Sequence, residues 1–197
     1  MRPAFFIKDM ANLYIISGCN GAGKTTASFT VLPEMLNCEE FVNADEIARG
    51  LSPFKPESVA IQAGKIMLNR IEDLLKQNID FAIETTLTTK SYLNTIKKAK
   101  AIGYKITLLY FWLNDVELAI QRVKIRVQEG GHHIPEEVIR RRYIKGRENL
   151  INFTSLSDYW MVIDNSLGMM RFVAEGNMDE EIAIFEQESW WKIKFTR

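Results

Sequence analysis

The chain has no excess of either charge: 25 Lys and Arg balance 25 Asp and Glu. A neutral chain offers no global field for long nucleic acid or an anionic membrane, so both are set aside as partners. Cysteine is scarce, with only Cys19 and Cys38. Two thiols make no disulfide framework and fit a reducing, cytoplasmic setting. No apolar run approaches the roughly 18 residues a membrane helix needs. The opening MRPAFFIKDMAN lacks both a long apolar h-region and a small-residue cleavage site, so no signal peptide is expected. Low-complexity tracts, internal repeats and linker-like stretches are absent as well. The 197 residues, 47% hydrophobic and 25% charged, therefore read as one α/β domain with ample material for a core.

Glycine is present where it counts. Residues 13–26, LYIISGCNGAGKTT, place Gly18, Gly23, Lys24 and Thr25 in the phosphate-loop pattern G-x-x-x-x-G-K-[ST]. A short apolar run precedes the loop and a helix is expected after it, which is the context the pattern requires. Such a loop turns backbone N–H groups toward a di- or triphosphate, and the helix N-terminus adds partial positive charge. Gly18, Asn20, Gly21, Ala22, Gly23, Lys24, Thr25 and Thr26 are the expected ATP-binding residues. Lys24 would reach the β- and γ-phosphates, and the Thr25 hydroxyl would ligate Mg²⁺.

Beyond the loop, strands and helices alternate. Strands are expected at 40–43, 79–83, 104–113 and 158–163, with a short edge strand at 171–174. Helices are expected at 25–32, 45–51, 57–77, 90–102, 115–128, from Pro135 to about 151, and at 179–191. Asn114 is the expected cap of the helix at 115, and Pro135 the first residue of the next. This alternation predicts a parallel sheet covered on both faces, with the phosphate loop at its centre.

Three further stretches carry chemistry. Asp45 follows the second strand, where α/β sheets place reactive groups. Its carboxylate suits the acceptance of a hydroxyl proton, and the alternative is a helix N-cap. Glu84 ends an apolar strand and is followed by Thr85, Thr86, Thr88 and Thr89. A carboxylate among hydroxyls suits a polyhydroxylated acceptor, with Glu84 and Thr86 the expected contacts. Residues 115–150 form a candidate lid: two helices, hinged at Gly130 and Gly131, that carry arginines for transferring phosphate. Arg126 and Arg122, at i and i+4 spacing, are expected first, then Arg141 and Arg142. His132 and His133 complete no metal-ligand spacing.

Taken in order, GCNGAGKTT, NADEIARGL-SP, IETTLT and RVQEGGHHIPEEVIRRRY resemble the zeta-toxin-like P-loop kinases over roughly residues 13–165. The resemblance implies a three-layer kinase fold with a short parallel sheet and a helical lid. It also implies ATP-dependent phosphorylation of a hydroxyl on a small molecule, with UDP-N-acetylglucosamine the known substrate class of toxin members. An antitoxin protein is the implied partner. By the same resemblance, the P-loop lysine is Lys24, the catalytic aspartate Asp45, and the substrate-binding acid and threonine are Glu84 and Thr86. The lid arginines fall among Arg122, Arg126 and 140–142. The competing expectation is a P-loop ATPase or interaction module with no small-molecule acceptor.

Overall fold

The computed structural model describes residues 10–178 and 180–195. Residues 1–9, most of the stretch where no signal peptide is expected, and Asp179, where the last helix is expected to begin, lie outside the described residues. Seven strands form one sheet in the order β2-β3-β1-β4-β5-β6-β7. They are β1 (Asn12–Gly18), β2 (Phe41–Val42), β3 (Phe81–Thr85), β4 (Lys105–Trp112), β5 (Tyr159–Asp164), β6 (Arg171–Asn177) and β7 (Glu180–Ile184). The first five strands run parallel; β6 and β7 are antiparallel additions.

The two innermost strands read as continuous apolar runs because both their faces are buried. Along β1, Leu13 and Ile15 face one core, and Tyr14 and Ile16 the other. Along β4, Ile106, Leu108, Tyr110 and Trp112 face the first core, and Leu109 and Phe111 the second. The first core is closed by α3 (Ala60–Gln77), α4 (Ser91–Ala101), the second half of α6 (Glu136–Thr154) and α7 (Gln187–Phe195). The second core is closed by α1 (Lys24–Thr30), α5 (Val116–Gln128) and the start of α6. The short α2 (Ala44–Leu51) packs beside α3. This is the three-layer P-loop kinase fold.

Several expectations change in detail. The first helix, expected over 25–32, ends as α1 at Thr30 and continues in a wider π-helical turn over Val31–Met35 that contains Pro33. Asp115, not Asn114, caps α5, its carboxylate accepting from the Glu117 N–H at 2.9 Å. Pro135 precedes α6 with extended ψ and so occupies the cap position. The stretch expected as one helix at 179–191 divides into β7 and α7. Pairing with β6 supplies β7 with hydrogen bonds that its acidic sequence does not advertise, so tertiary context overrides local propensity. Among the described residues, no helix is long and apolar enough to cross a membrane.

Candidate active site

The chain leaves β1 between β3 and β4, where connections depart to opposite sides and α/β folds open a crevice. There the phosphate loop turns into α1. Gly18 (φ +139°) and Gly21 (φ +78°) lie against backbone, where an added Cβ would sit 2.1 Å from the Phe111 carbonyl and 2.7 Å from that of Ala119. Gly23 (φ +85°) leaves room for the Asn165 side-chain amide, which donates to the Ala22 carbonyl at 2.9 Å. Asn165 belongs to the turn after β5. Buried Asp164 ties that turn down, accepting from the Ser166 N–H and from Arg171, each at 2.8 Å.

Lys24 is buried, its ammonium donating to the Cys19 carbonyl at 3.0 Å and lying 3.5 Å from Glu84. The other Glu84 oxygen accepts from the Thr25 hydroxyl at 2.7 Å and the Asn43 amide at 2.9 Å. The Asn43 side-chain oxygen Oδ1 in turn caps α2, accepting from the Asp45 and Glu46 N–H groups at 2.8 and 3.4 Å. The capping role open to Asp45 is thus filled by Asn43. Among the described residues, the Asp45 carboxylate has no hydrogen bond or ion pair, whereas Glu84 is held on both oxygens. Burial pushes the Cys19 thiol up to about 11 despite nearby Lys24, which keeps it protonated and unreactive.

Two cavities meet here. One, of about 320 Å³, lies over the phosphate loop and is roofed by Arg49, Arg122, Arg126 and His132. The other, of about 460 Å³, is walled by Thr85, Thr86, Thr88, Thr89 and Ser91, with Arg141 and Arg142 opposite. Asn20, Lys24, Asp45 and Glu84 line both. Gly18 and Ala22 line neither cavity and lie buried in the turn. Gly21, Gly23, Thr25 and Thr26 line the first.

The arginines separate by cavity. Arg122 donates to the carbonyls of Gly21 at 3.4 Å and Ser166 at 3.2 Å. Arg126 donates to the His132 carbonyl at 3.2 Å, which ties it to the turn between α5 and α6. Arg141 and Arg142, grouped in sequence with the nucleotide-binding set, line the second cavity and not the first. Arg142 donates to the Asn20 side chain at 3.0 Å, and burial holds its guanidinium below the usual arginine value. Arg140 lies at the surface, paired with Glu117. His132, which lines the first cavity, lies 3.6 Å from Glu57. Sequence reasoning missed Asn43 and Asn165. The first was legible as a residue with strong cap preference just before a helix; nothing local marks the second.

A hard divalent cation fits this donor set. Magnesium keeps several waters and takes one or two protein oxygens besides phosphate. The Thr25 hydroxyl and the Glu84 carboxylate, 2.7 Å apart, are oxygens of that kind. Among the described residues, no group of three or more His, Cys, Asp or Glu side chains forms a self-sufficient metal site.

The family model described as Zeta toxin matches residues 9–188. The chain is 35% identical over 127 residues to an uncharacterized protein of Haemophilus influenzae, covering 64% of this chain and 88% of that protein. Among solved structures, it is similar to the AvrRxo1-ORF1:-ORF2 complex with ATP, at TM-score 0.73 and 17% identity over 93% of this chain. It spans 63% of the length of the chain that it matches in that complex. It is also similar to the PezAT chromosomal toxin–antitoxin system of Streptococcus pneumoniae, at TM-score 0.67 and 16% identity, over 96% of this chain and 80% of that one. At these identities the structural likenesses establish the fold.

Proposed function

This chain belongs to the Zeta toxin family, and on that premise we propose that it transfers the γ-phosphoryl group of ATP to a hydroxyl of a small molecule. The observation that carries the proposal is the shared wall. Lys24, Asp45 and Glu84 stand between a cavity floored by the phosphate loop and a cavity lined with hydroxyls and arginines. A phosphotransferase needs that arrangement, because donor and acceptor must meet in line at one phosphorus.

In this reading the phosphate-loop N–H groups and Lys24 hold the β- and γ-phosphates. The acceptor hydroxyl oxygen bonds to the γ-phosphorus as the bridging bond to the β-phosphate breaks. Asp45 takes the hydroxyl proton, and ADP keeps the bridging oxygen. The free Asp45 carboxylate suits that duty better than Glu84, whose oxygens are occupied. Glu84 instead fixes Lys24, Thr25 and Asn43 relative to one another. Mg²⁺, held through Thr25 and Glu84, would neutralise charge on the phosphates. Arg122 and Arg126 face the phosphate side, where charge builds during transfer.

The threonine-lined cavity with Arg141 and Arg142 suits a polyhydroxylated acceptor bearing an anionic group, such as UDP-N-acetylglucosamine. A protein antitoxin and a cytoplasmic location belong to the same reading. The test is ATP consumption in the presence of sugar nucleotides and nucleosides, with the product identified by mass spectrometry. Asp45→Asn should lower transfer by about 10²–10⁴-fold while Mg·ATP affinity stays within about twofold. ATP consumption without a phosphorylated product, or full transfer by Asp45→Asn, would overturn the proposal.

A further inference from the structure

The loop that walls the second cavity holds a shape its own sequence does not favour. Leu87 has φ of +55° and is fully buried. A leucine rarely adopts that left-handed geometry, which appears where surrounding structure imposes it. Inside the loop, the Thr85 hydroxyl accepts from the Leu87 N–H at 3.1 Å, and the hydroxyls of Thr86 and Thr88 lie 2.7 Å apart.

The remaining support comes from one stripe of α6. Asn149, buried, donates its side-chain amide to the carbonyls of Leu87 at 2.7 Å and Thr88 at 3.2 Å. One turn earlier, Gly146 lets the helix touch the loop, since an added Cβ would sit 2.4 Å from the Thr86 carbonyl oxygen. Another turn earlier, Arg142 reaches Asn20 of the phosphate loop. Spacings of i, i+4 and i+7 put all three on one face. The same helix face therefore sets both the threonine loop and the rim of the phosphate loop. Asn149 itself lines neither cavity.

We propose that Asn149, with the close approach that Gly146 permits, is a positioning residue that sets acceptor recognition by holding the Thr86–Thr88 hydroxyls in place. This rests on the phosphotransferase reading above. A buried asparagine with only a folding role would serve the sheet or core. Asn149 instead spends both recorded donor contacts on two adjacent carbonyls of a cavity-lining loop.

The experiment follows label from γ-³²P ATP into product across a dilution series of a protein-free small-molecule extract of cells, with Mg·ATP affinity measured alongside. Asn149→Leu removes both donors at similar volume. Gly146→Ala presses on the loop with one methyl group, and alanine is the better helix former, so helix loss cannot explain its effect. For both variants the half-saturating extract concentration should rise at least tenfold (an order-of-magnitude expectation for a lost hydrogen-bonded geometry), with maximal rate and Mg·ATP affinity within about twofold. Amide exchange at residues 86–89 should quicken while α6 stays protected. Unchanged half-saturation in a folded Gly146→Ala protein would overturn the proposal, as would exchange that quickens uniformly across sheet and helices. If the wild type labels nothing, the phosphotransferase reading has failed and this inference falls with it; if it labels product and the variants match it, only this inference has failed.

Discussion

The cavity over the phosphate loop and the cavity beside the threonine loop share a wall, yet the chain builds them by different means. The first draws its floor from one continuous stretch, residues 20–26, whose backbone N–H groups and Lys24 face a rim of Arg49, Arg122, Arg126 and His132. Beyond Asn20 and Lys24 of the phosphate loop, the second is gathered from residues after β2, the first residue of α3, the end of β3 and its loop, the start of α4 and the first half of α6, and it offers side-chain hydroxyls and two arginines. Backbone amides recognise what every nucleoside triphosphate has in common. Side chains from several separate segments can be exchanged one at a time. Under the proposed function, donor binding is thus the inflexible part of the molecule, and acceptor choice the adjustable part.

Lys24→Ala offers the largest test of that contrast, because Lys24 stands in the shared wall. It should lower transfer about 10³-fold or more, by analogy with losing a cation from the transferring phosphate, and weaken Mg·ATP binding in calorimetry. It also leaves the partly buried Glu84 carboxylate without its cation, with Thr25 and Asn43 its remaining partners; Lys24→Met with normal ATP affinity would break the comparison at its root. Thr86→Val should act on the acceptor side alone. Loss of one hydroxyl contact worth about 1 kcal/mol predicts a several-fold rise in acceptor half-saturation, and altered ATP affinity would show that the cavities are not separable.

The smallest effect concerns His132, over the donor cavity. Burial lowers its pKa from the ordinary 6.5, against the opposing pull of Asp45 and Glu57, with Arg126 and His133 adding to the lowering. The folded chain therefore binds that proton less readily than the unfolded chain. Its contribution to stability is complete above about pH 6.5 and declines as pH falls through that value toward the lower folded one. The urea midpoint should drop slightly between pH 7.5 and 5.5, and His132→Gln should flatten part of that drop. A midpoint that rises on acidification would mean that the Glu57 contact dominates.

The same contrast explains what could be read from the residues alone. The phosphate loop was legible because its chemistry is local: glycines, lysine and threonine at fixed spacing. Asp45 and Glu84 were legible because one follows a strand closely and the other lies at a strand's end, positions that short-range pattern identifies. Which arginine serves which cavity was not legible. Arg140, Arg141 and Arg142 are consecutive, yet one pairs with Glu117 at the surface and two line the second cavity, a matter of helix phase that only packing decides. β7 was hidden for a related reason. Its Glu-Glu-Ile-Ala-Ile has the composition of a helix end, and its strand form depends on β6. Asn149 carried no mark at all, since an asparagine within a helix is unremarkable until the carbonyls it meets are known.

The contact between Asn165 and the phosphate loop bears on how the site comes into being. The amide that fills the space over Gly23 and binds the Ala22 carbonyl lies 143 residues further along the chain. A growing polypeptide has written the whole nucleotide motif while most of the sheet is still unsynthesised. A chain interrupted before β5 would carry every letter of that motif and lack the contact that braces it. In this molecule the motif is finished early in sequence and late in space.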